Sequence, residues 1–320
     1  MTTVLVSGAS GIVGYGILRS LRQPGLSLQL VGTTIYTDSV AQAFSDIFER
    51  APLTGSAAYL PWLEGIIATH HVDLLIPGIE ADVYAWVEQV DAIAAAGAKV
   101  VLNDPGLIAL CRDKWTFYQR LSAIDTRYVI ESALTPDFDT LADRFGLPFL
   151  LKPRVGFGAR GIVRVDSAAT FQAHQADVGP RLMAQPIVGT DDEEFSASAF
   201  CDGLGRCLTS MTLRRKLSRD GFTDRAEVVQ ELDVDEALSV LAAHLKPVGP
   251  TNFQFRRHHG LLKLLEINPR ISSATSIRTA FGYNESRMAV EWYLEGRVPQ
   301  PPVVRRGRAV RYVEDVIFDT

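Results

Sequence analysis

The stretch TNFQFRRHHGLLKLLEINPRISSAT, Thr251 to Thr275, gathers side chains able to handle a metal-bound polyphosphate. Alternating apolar residues place strands over Asn252–Arg257 and Leu261–Asn268, joined by a turn at His258, His259 and Gly260. Glu266 and Asn268 are two residues apart on one strand, so both side chains face one side of the sheet. Gln254, on the partner strand, can face the same side. Carboxylate and amide oxygens suit Mg²⁺, which shares its sphere with nucleotide phosphates and water. Arg270, again two residues on, is placed to meet phosphoryl oxygen or a developing acyl phosphate. The competing reading is an exposed hairpin whose polar face carries Glu, Asn and Arg. Against it, the sequence after Pro269 abandons strand patterning for small residues at a helix start.

A phosphate also needs a cradle, and two glycine loops compete for the role. In KPRVGFGARGI, Lys152 ends an apolar strand a few residues before Gly156, Gly158 and Gly161. Such glycines let backbone N–H groups approach phosphate oxygens while the lysine supplies a point charge. In VLVSGASGIVGYG, Gly8, Gly11 and Gly14 are spaced like a dinucleotide-binding turn. A NAD(P) site there would need a charged residue at the end of the second strand. LQLVGTTIY has none before Asp38, and no tyrosine is followed by lysine four residues on. The first glycine turn is therefore expected to be structural, and a nicotinamide-dependent reductase remains only as an alternative.

The bulk composition narrows the partners. With 32 basic and 37 acidic residues in 320, the net charge of −5 gives no nucleic-acid footprint. The basic run RRGRAVR, Arg305 to Arg311, reads as a solvated edge strand. No apolar run has the length of a membrane span, and MTTVLVSGAS lacks the charged start of a signal peptide. Cys111, Cys201 and Cys207 form no CxxC pair, which suits a reducing cytoplasm with thiols used as small hydrophobes. All six histidines read as structural or surface residues.

The elements that must position these groups fall into three blocks. β-Branched runs at Val4–Val6, Leu28–Val31, Leu74–Ile76 and Lys99–Leu102 alternate with helical patterns at Ile12–Arg22, Ala57–Thr69 and Ala81–Ala95. That order predicts a small parallel sheet with helices on both faces. Asp104 is a candidate cap before Pro105. A helix over Lys114–Ala123 leads to the strand–glycine loop–strand around Lys152, then a helix over Ala168–Val178 and the strand LMAQPIV. Longer strands follow at Phe195–Cys201, Cys207–Leu217 and Arg225–Leu232, before the EINPR hairpin, and their short turns predict antiparallel sheets. Helices recur at Asp235–His244, Ala274–Phe281 and Glu285–Gly296.

The motifs LLKP…GFGARGI, MAQPIVGTDDEEFSAS and FQF…LLEINPRISSAT resemble the ATP-grasp superfamily, in particular single units related to the large subunit of carbamoyl-phosphate synthase. The resemblance covers roughly residues 1 to 297. It implies an α/β N-terminal Rossmann-like lobe (1–110), followed by α+β ATP-grasp lobes with antiparallel sheets: a small nucleotide-clamping lobe (111–187) and a C-terminal lobe carrying the metal and substrate site (188–320).

The resemblance also implies roles. Lys114 and Lys152 contact α- and β-phosphates under the Gly156, Gly158 and Gly161 loop. Adenine lies against the segment Gln185, Pro186 to Val188, and Glu194 bonds the ribose. Glu266 and Asn268 hold Mg²⁺ (or Mn²⁺), with Gln254 at a second ion. Arg270 stabilises the acyl phosphate. Where the family usually has Glu, this chain has Pro186, which keeps its carbonyl acceptor but has no N–H. The implied activity is ADP-forming C–N ligation between a small carboxylate and an amine, through an acyl phosphate, with Lys152, Glu266 and Arg270 catalytic. The alternative within the family is an ATP-binding regulatory protein without turnover. One unit, where carbamoyl-phosphate synthase has two, and no recognisable glutaminase segment argue against that whole enzyme. Arg214, Arg215, Lys216 and Arg278 are candidate specificity residues, and surface ion pairs account for such residues equally well. Glu80, in PGIEAD, either holds a substrate amine in the cleft or caps a solvated helix. Family members are often dimers, so a homodimer is an expected assembly.

Overall fold

The computed structural model of the chain describes residues 1–156 and 161–318. Among them the strands form three sheets. In the first, β1 (Thr2–Val6), β2 (Leu28–Thr34), β3 (Ile47–Arg50), β4 (Leu74–Ile76) and β5 (Lys99–Val100) run parallel in the order β3-β2-β1-β4-β5. Period-two alternation fills both faces. Val4, Val6, Leu30 and Ile76 pack with Ile17 and Leu18 of the helix Ile12–Leu21, while Leu5, Val31 and Leu75 pack with Leu63 and Trp86 on the other side. The single helix expected over Ala81–Ala95 is two, Glu80–Glu88 and Val90–Ala95, broken at Gln89. Strand β3 was not expected; it is a short edge strand of half-buried residues, too weakly patterned to announce itself.

The second sheet is an antiparallel hairpin of β6 (Phe149–Pro153) and β7 (Val163–Val165), with β8 (Leu182–Pro186) on the other side of β6. Its core is Phe149, Phe171 and Leu141. Leu141 comes from a helix, Phe138–Phe145, that the sequence reading lacks. The helix expected over Ala168–Val178 stops at Gln172 and is followed by one 3-10 turn, Gln175–Asp177.

The third sheet contains β9 (Glu194–Asp202), β10 (Cys207–Leu217), β11 (Thr223–Val229), β12 (Val248–His258), β13 (Leu261–Asn268) and β14 (Arg308–Val310), all antiparallel, in the order β13-β12-β9-β10-β11-β14. The basic run near the end thus supplies the edge strand β14. One face is apolar: Phe195, Ala197, Phe253 and Phe255 pack against Ala237 and Leu241 of the helix Leu232–Leu245, and against Phe117 and Leu121 of the helix Lys114–Ile124. The opposite face carries Glu194, Ser196 and Ser198 on β9 beside Asn252 and Gln254 on β12. Arg278 closes part of that polar face, with no exposure at all. It donates to Ser272 Oγ at 2.6 Å and Asn252 Oδ1 at 3.1 Å, and Glu285 stands 3.6 Å away. Arg278 therefore joins the helix Thr275–Ala280 to the sheet and is not presented to a substrate, contrary to expectation.

The first lobe is bonded directly to the third sheet. Asn103 donates to Thr251 Oγ1 at 2.7 Å and accepts from the Val248 N–H at 2.8 Å, and the Tyr293 hydroxyl donates to the Leu102 carbonyl at 2.6 Å. Asp104 caps the helix Pro105–Arg112 as expected, accepting from the Leu107 N–H at 2.9 Å. No helix among the described residues is long and apolar enough to cross a membrane.

Candidate active site

Strand register assembles the site. Arg215 on β10 pairs with Glu194 on β9, Glu194 with Arg256 on β12, and Gln254, two residues back, with Glu266 on β13. Four neighbouring strands therefore present one polar row on one face. The ladder shifts register beside Gln254 and Glu266, so Leu265 is an extra residue; such bulges re-aim side chains next to functional sites. Within the row, Glu194 Oε1 accepts from Arg215 Nε at 3.0 Å and Glu194 Oε2 from Arg256 Nε at 2.9 Å. Arg215 Nη2 donates onward to Gln254 Oε1 at 2.7 Å.

The row forms one wall of a cavity of about 220 Å³. Lys114, Lys152, Gln185, Pro186, Val188, Glu194, Gln254 and Glu266 all line it, so most of the residues singled out in the sequence meet in one place. Lys152 comes from β6 and Gln185 and Pro186 from β8, so the cavity lies between the second and third sheets. Burial pushes the Lys152 ammonium down to about 8; Glu266 opposes the shift, and Lys114 and Arg256 add to it. Gln185 is anchored by its side-chain amide, which donates to Ser132 Oγ at 2.7 Å. Lys114 Nζ donates to the Gly156 carbonyl at 2.7 Å, and Arg154 bonds Asp113 Oδ2 at 2.5 Å, tying the glycine hairpin to the start of the helix Lys114–Ile124.

Asn268 and Gly156 border a smaller adjoining cavity that shares Lys114 and Glu266 with the first. Arg270 faces a further recess beside Pro77 and donates to the Ile271 carbonyl at 3.0 Å. Of the PGIEAD loop, Pro77 lines that recess and Glu80 borders the smaller adjoining cavity. Gly161 adopts φ +75° against the Pro153 ring, and its neighbour Ile162 lines the larger cavity; Gly158 lies outside the described residues. Of the basic trio on β10, only Arg215 enters the site. Arg214 pairs with Glu227 at 2.5 Å and Lys216 with Asp192, both largely exposed on the other face, so neither is placed to select a substrate in this cleft. Arg256 was missed in the sequence, although its two-residue spacing from Gln254 already placed it on the same face.

The donor set fits Mg²⁺. Among the described residues no three His, Cys, Asp or Glu side chains cluster as a metal cage. Instead one carboxylate, Glu266, stands with the amides of Asn268 and Gln254, and Asn268 Nδ2 bonds Glu266 Oε1 at 3.0 Å. A few oxygen donors beside a phosphate-sized cavity suit an ion that keeps much of its sphere for phosphate and water.

The first glycine turn is closed by the chain itself. A Cβ at Gly8 (φ +56°) would lie 2.3 Å from Ile79 Cγ2, one at Gly14 would lie 2.4 Å from the Gly8 carbonyl oxygen, and one at Gly78 would lie 2.1 Å from the Ser7 carbonyl oxygen. Gly78 and the Ile79 side chain pack directly on this turn, so its glycines answer a packing requirement. Gly11, at φ −85°, has no left-handed requirement.

A family model described as "ATP-grasp in the biosynthetic pathway with Ter operon" matches residues 180–316. Carbamoyl phosphate synthase large chains are similar in sequence. That of Acidobacterium capsulatum is 24% identical over 196 residues (55% of this chain, 18% of the relative), and that of Lachnoclostridium phytofermentans is 21% identical over 98% of this chain and 32% of the relative. The chain thus spans from about a fifth to a third of these relatives' length. Among solved structures, N5-carboxyaminoimidazole synthetase of Staphylococcus aureus complexed with ADP matches with a TM-score of 0.73 at 15% identity, over 95% of this chain and 80% of that one. Biotin carboxylase of Campylobacter jejuni matches with a TM-score of 0.73 at 16% identity, over 96% and 74%.

Proposed function

We propose that this chain, an ATP-grasp protein related to the carbamoyl phosphate synthase large chain, is an ADP-forming ligase that joins a small carboxylate to an amine. The observation that carries the reading is the polar row of Arg215, Glu194, Gln254 and Glu266 facing Lys152 across one cavity. ATP lies there with adenine against Gln185–Val188, ribose at Glu194 and phosphates between Lys114, Lys152 and the glycine hairpin. Glu266, Asn268 and Gln254 hold Mg²⁺, which supplies charge neutralisation for the phosphates. A carboxylate oxygen attacks the γ-phosphorus, the bond to the β-phosphate bridging oxygen breaks, and ADP leaves. Lys152 and Arg270 stabilise the charge that moves in this step. The uncharged amine nitrogen then attacks the acyl carbon, the bond from that carbon to the phosphate oxygen breaks, and the proton lost by nitrogen leaves with the phosphate. Closure of the lobes over the cleft excludes water, which would hydrolyse the acyl phosphate. The Rossmann-like lobe ending near residue 110 walls the substrate side, and the clamping lobe ends near 187.

Thermal unfolding with nucleotides and an ADP-release screen of carboxylate–amine pairs test the reading together. Mg·ATP at ~100 times its dissociation constant should add about 2.7 kcal/mol to unfolding, and NADPH nothing. With an active pair in hand, Glu266→Gln should keep nucleotide binding and lose roughly a hundredfold or more in turnover, since misplaced reacting groups cost that much. Arg270→Ala should impair chemistry more than binding. Stabilisation by NADPH alone, or normal turnover in both variants, overturns the ligase.

A further inference from the structure

The helices over the third sheet cover β13, β12 and β9 and leave most of β10, β11 and β14 bare. Arg214 is in register with Phe195 and Thr212 with Ala197, so these β10 residues share the face on which the helix Leu232–Leu245 packs. On the opposite face Met211, Leu213 and Ala226 are buried with the first lobe. The half-sheet β10-β11-β14 therefore has one packed face and one open face. The open face carries Arg214, Lys216, Arg225 and Arg308, all exposed.

Two troughs of about 680 and 610 Å³ run end to end along this face, with Glu227 on the border of both. Ser210 and Thr212 line the first and Arg214 and Lys216 the second, so they follow one another along β10. Charge is segregated between them. The first sets Glu227, Glu231 and Asp235 against Arg306. The second sets Arg214, Lys216, Arg225 and Arg308 against Asp192 and Glu227. Arg225 has only Asp224 near it, at 3.6 Å. Partial burial and Asp233 hold the Asp235 carboxyl above the usual carboxylate range. Both ends also expose apolar side chains. Leu232, next to Glu231, is 87% exposed and Val303, between Pro302 and Val304, is 89% exposed; Val310, in the basic trough, is 66% exposed. A face meant for solvent alone interleaves both signs and avoids such residues.

We propose that this face docks a second copy of the chain about a two-fold axis, with the acidic trough of each copy on the basic trough of the other. Such an interface is self-complementary: where Arg225 of one copy meets Asp235 of the other, the reciprocal pair forms as well. Leu232 and Val303 of one copy then lie toward Val310 of the other. An acidic protein would satisfy the basic trough and leave the acidic one against like charge. Edge-to-edge pairing through β14 would set Arg306 and Arg308 against their own copies, the device by which edge strands avoid that contact. The open face is about 20 Å along β10 and about 14 Å across three strands. Even with its rims it is a small interface, so the dimer should be weak and held by charge. It lies on the side of the sheet away from Glu194 and Gln254, and its formation does not depend on the ligase reading.

The test is sedimentation equilibrium of the full chain at about 50 mM and about 500 mM NaCl, which changes charge screening. The native chain should form a reversible dimer that weakens tenfold or more at the higher salt. Arg225→Glu and Asp235→Arg should each weaken it tenfold or more when alone, because each sets like charges across the axis twice. Mixed in equal amounts, the two variants should recover dimer to within a few-fold of the native chain, since both cross-axis pairs are then opposite in sign. Should either reversal fail to fold, Arg225→Gln and Asp235→Asn replace them, each weakening the dimer severalfold. A native chain that stays monomeric overturns the proposal, and binding of poly-glutamate by that monomer would assign the face to an acidic partner. A dimer indifferent to salt or to both substitutions uses another surface and also overturns it. So does a mixture of folded reversal variants that fails to recover.

Discussion

Arg215 and Glu194 form an ion pair sealed inside the protein, with side chains 4% and 3% exposed and Nε to Oε1 at 3.0 Å. Glu194 also serves Arg256, so one carboxylate compensates two guanidinium groups. Removing one partner of a buried pair typically costs about 3–5 kcal/mol because the other charge is left uncompensated. Glu194→Ala should fall at the lower end, since Arg256 keeps its existing bond to Asp191 at 2.7 Å. Urea unfolding measures this, and a loss below ~1 kcal/mol would mean that water reaches the pair. If Glu194 also bonds ribose, Glu194→Gln should weaken ADP but not inorganic triphosphate.

The glycine turn in the first lobe should behave as packing. Gly78→Ala would drive a Cβ into backbone, so it should cost at least the about 1–3 kcal/mol typical of overpacking. Gly14→Ala should do the same. Gly11→Ala should cost less, because its conformation is open to any residue and its Cβ would meet only the Gly8 carbonyl, at 3.3 Å. Thermal unfolding ranks the three, and calorimetry should find Mg·ADP affinity unchanged in each. Specific loss of nucleotide binding in these variants would return the nucleotide to the first lobe.

Lys152 should make nucleotide binding pH-dependent. Its pKa is lowered to about 8 in the folded chain, from an ordinary 10.5. Between those values the unfolded chain binds more protons, so this group makes stability rise with pH from about 8 to 10.5. Phosphate prefers the charged lysine. Mg·ADP affinity should therefore fall as pH rises through about 8, by up to roughly tenfold per unit, with a proton taken up on binding. Calorimetry in buffers of different ionisation enthalpy reads that proton. Lys152→Arg should flatten the profile, because guanidinium stays charged. A native profile flat from pH 7 to 10 would place Lys152 away from the phosphates.

What could be read from the sequence was set by local periodicity. Glu266, Asn268 and Gln254 sit on one hairpin, and Lys152 heads its own glycine loop, so short-range spacing places each group. The partners of these residues were not legible, because they depend on register between distant strands. Glu194 and Arg256 are 62 positions apart, and Arg215 and Gln254 are 39 apart. Arg278 looked like a surface charge because nothing near it in sequence announces Ser196 and Asn252, which bury it. The uncharged segment after the second strand already marks the first glycine turn as structural, but Ile79, which packs on Gly8 from 71 positions away, was not legible there.

The segment from Pro77 to Glu80 has two faces with opposite uses. Gly78 and Ile79 pack on the first glycine turn, and Glu80, one residue later, borders the cleft shared with Glu266. A shift of that turn would therefore carry Glu80 with it, so three consecutive residues couple the packing of the first lobe to the rim of the cleft.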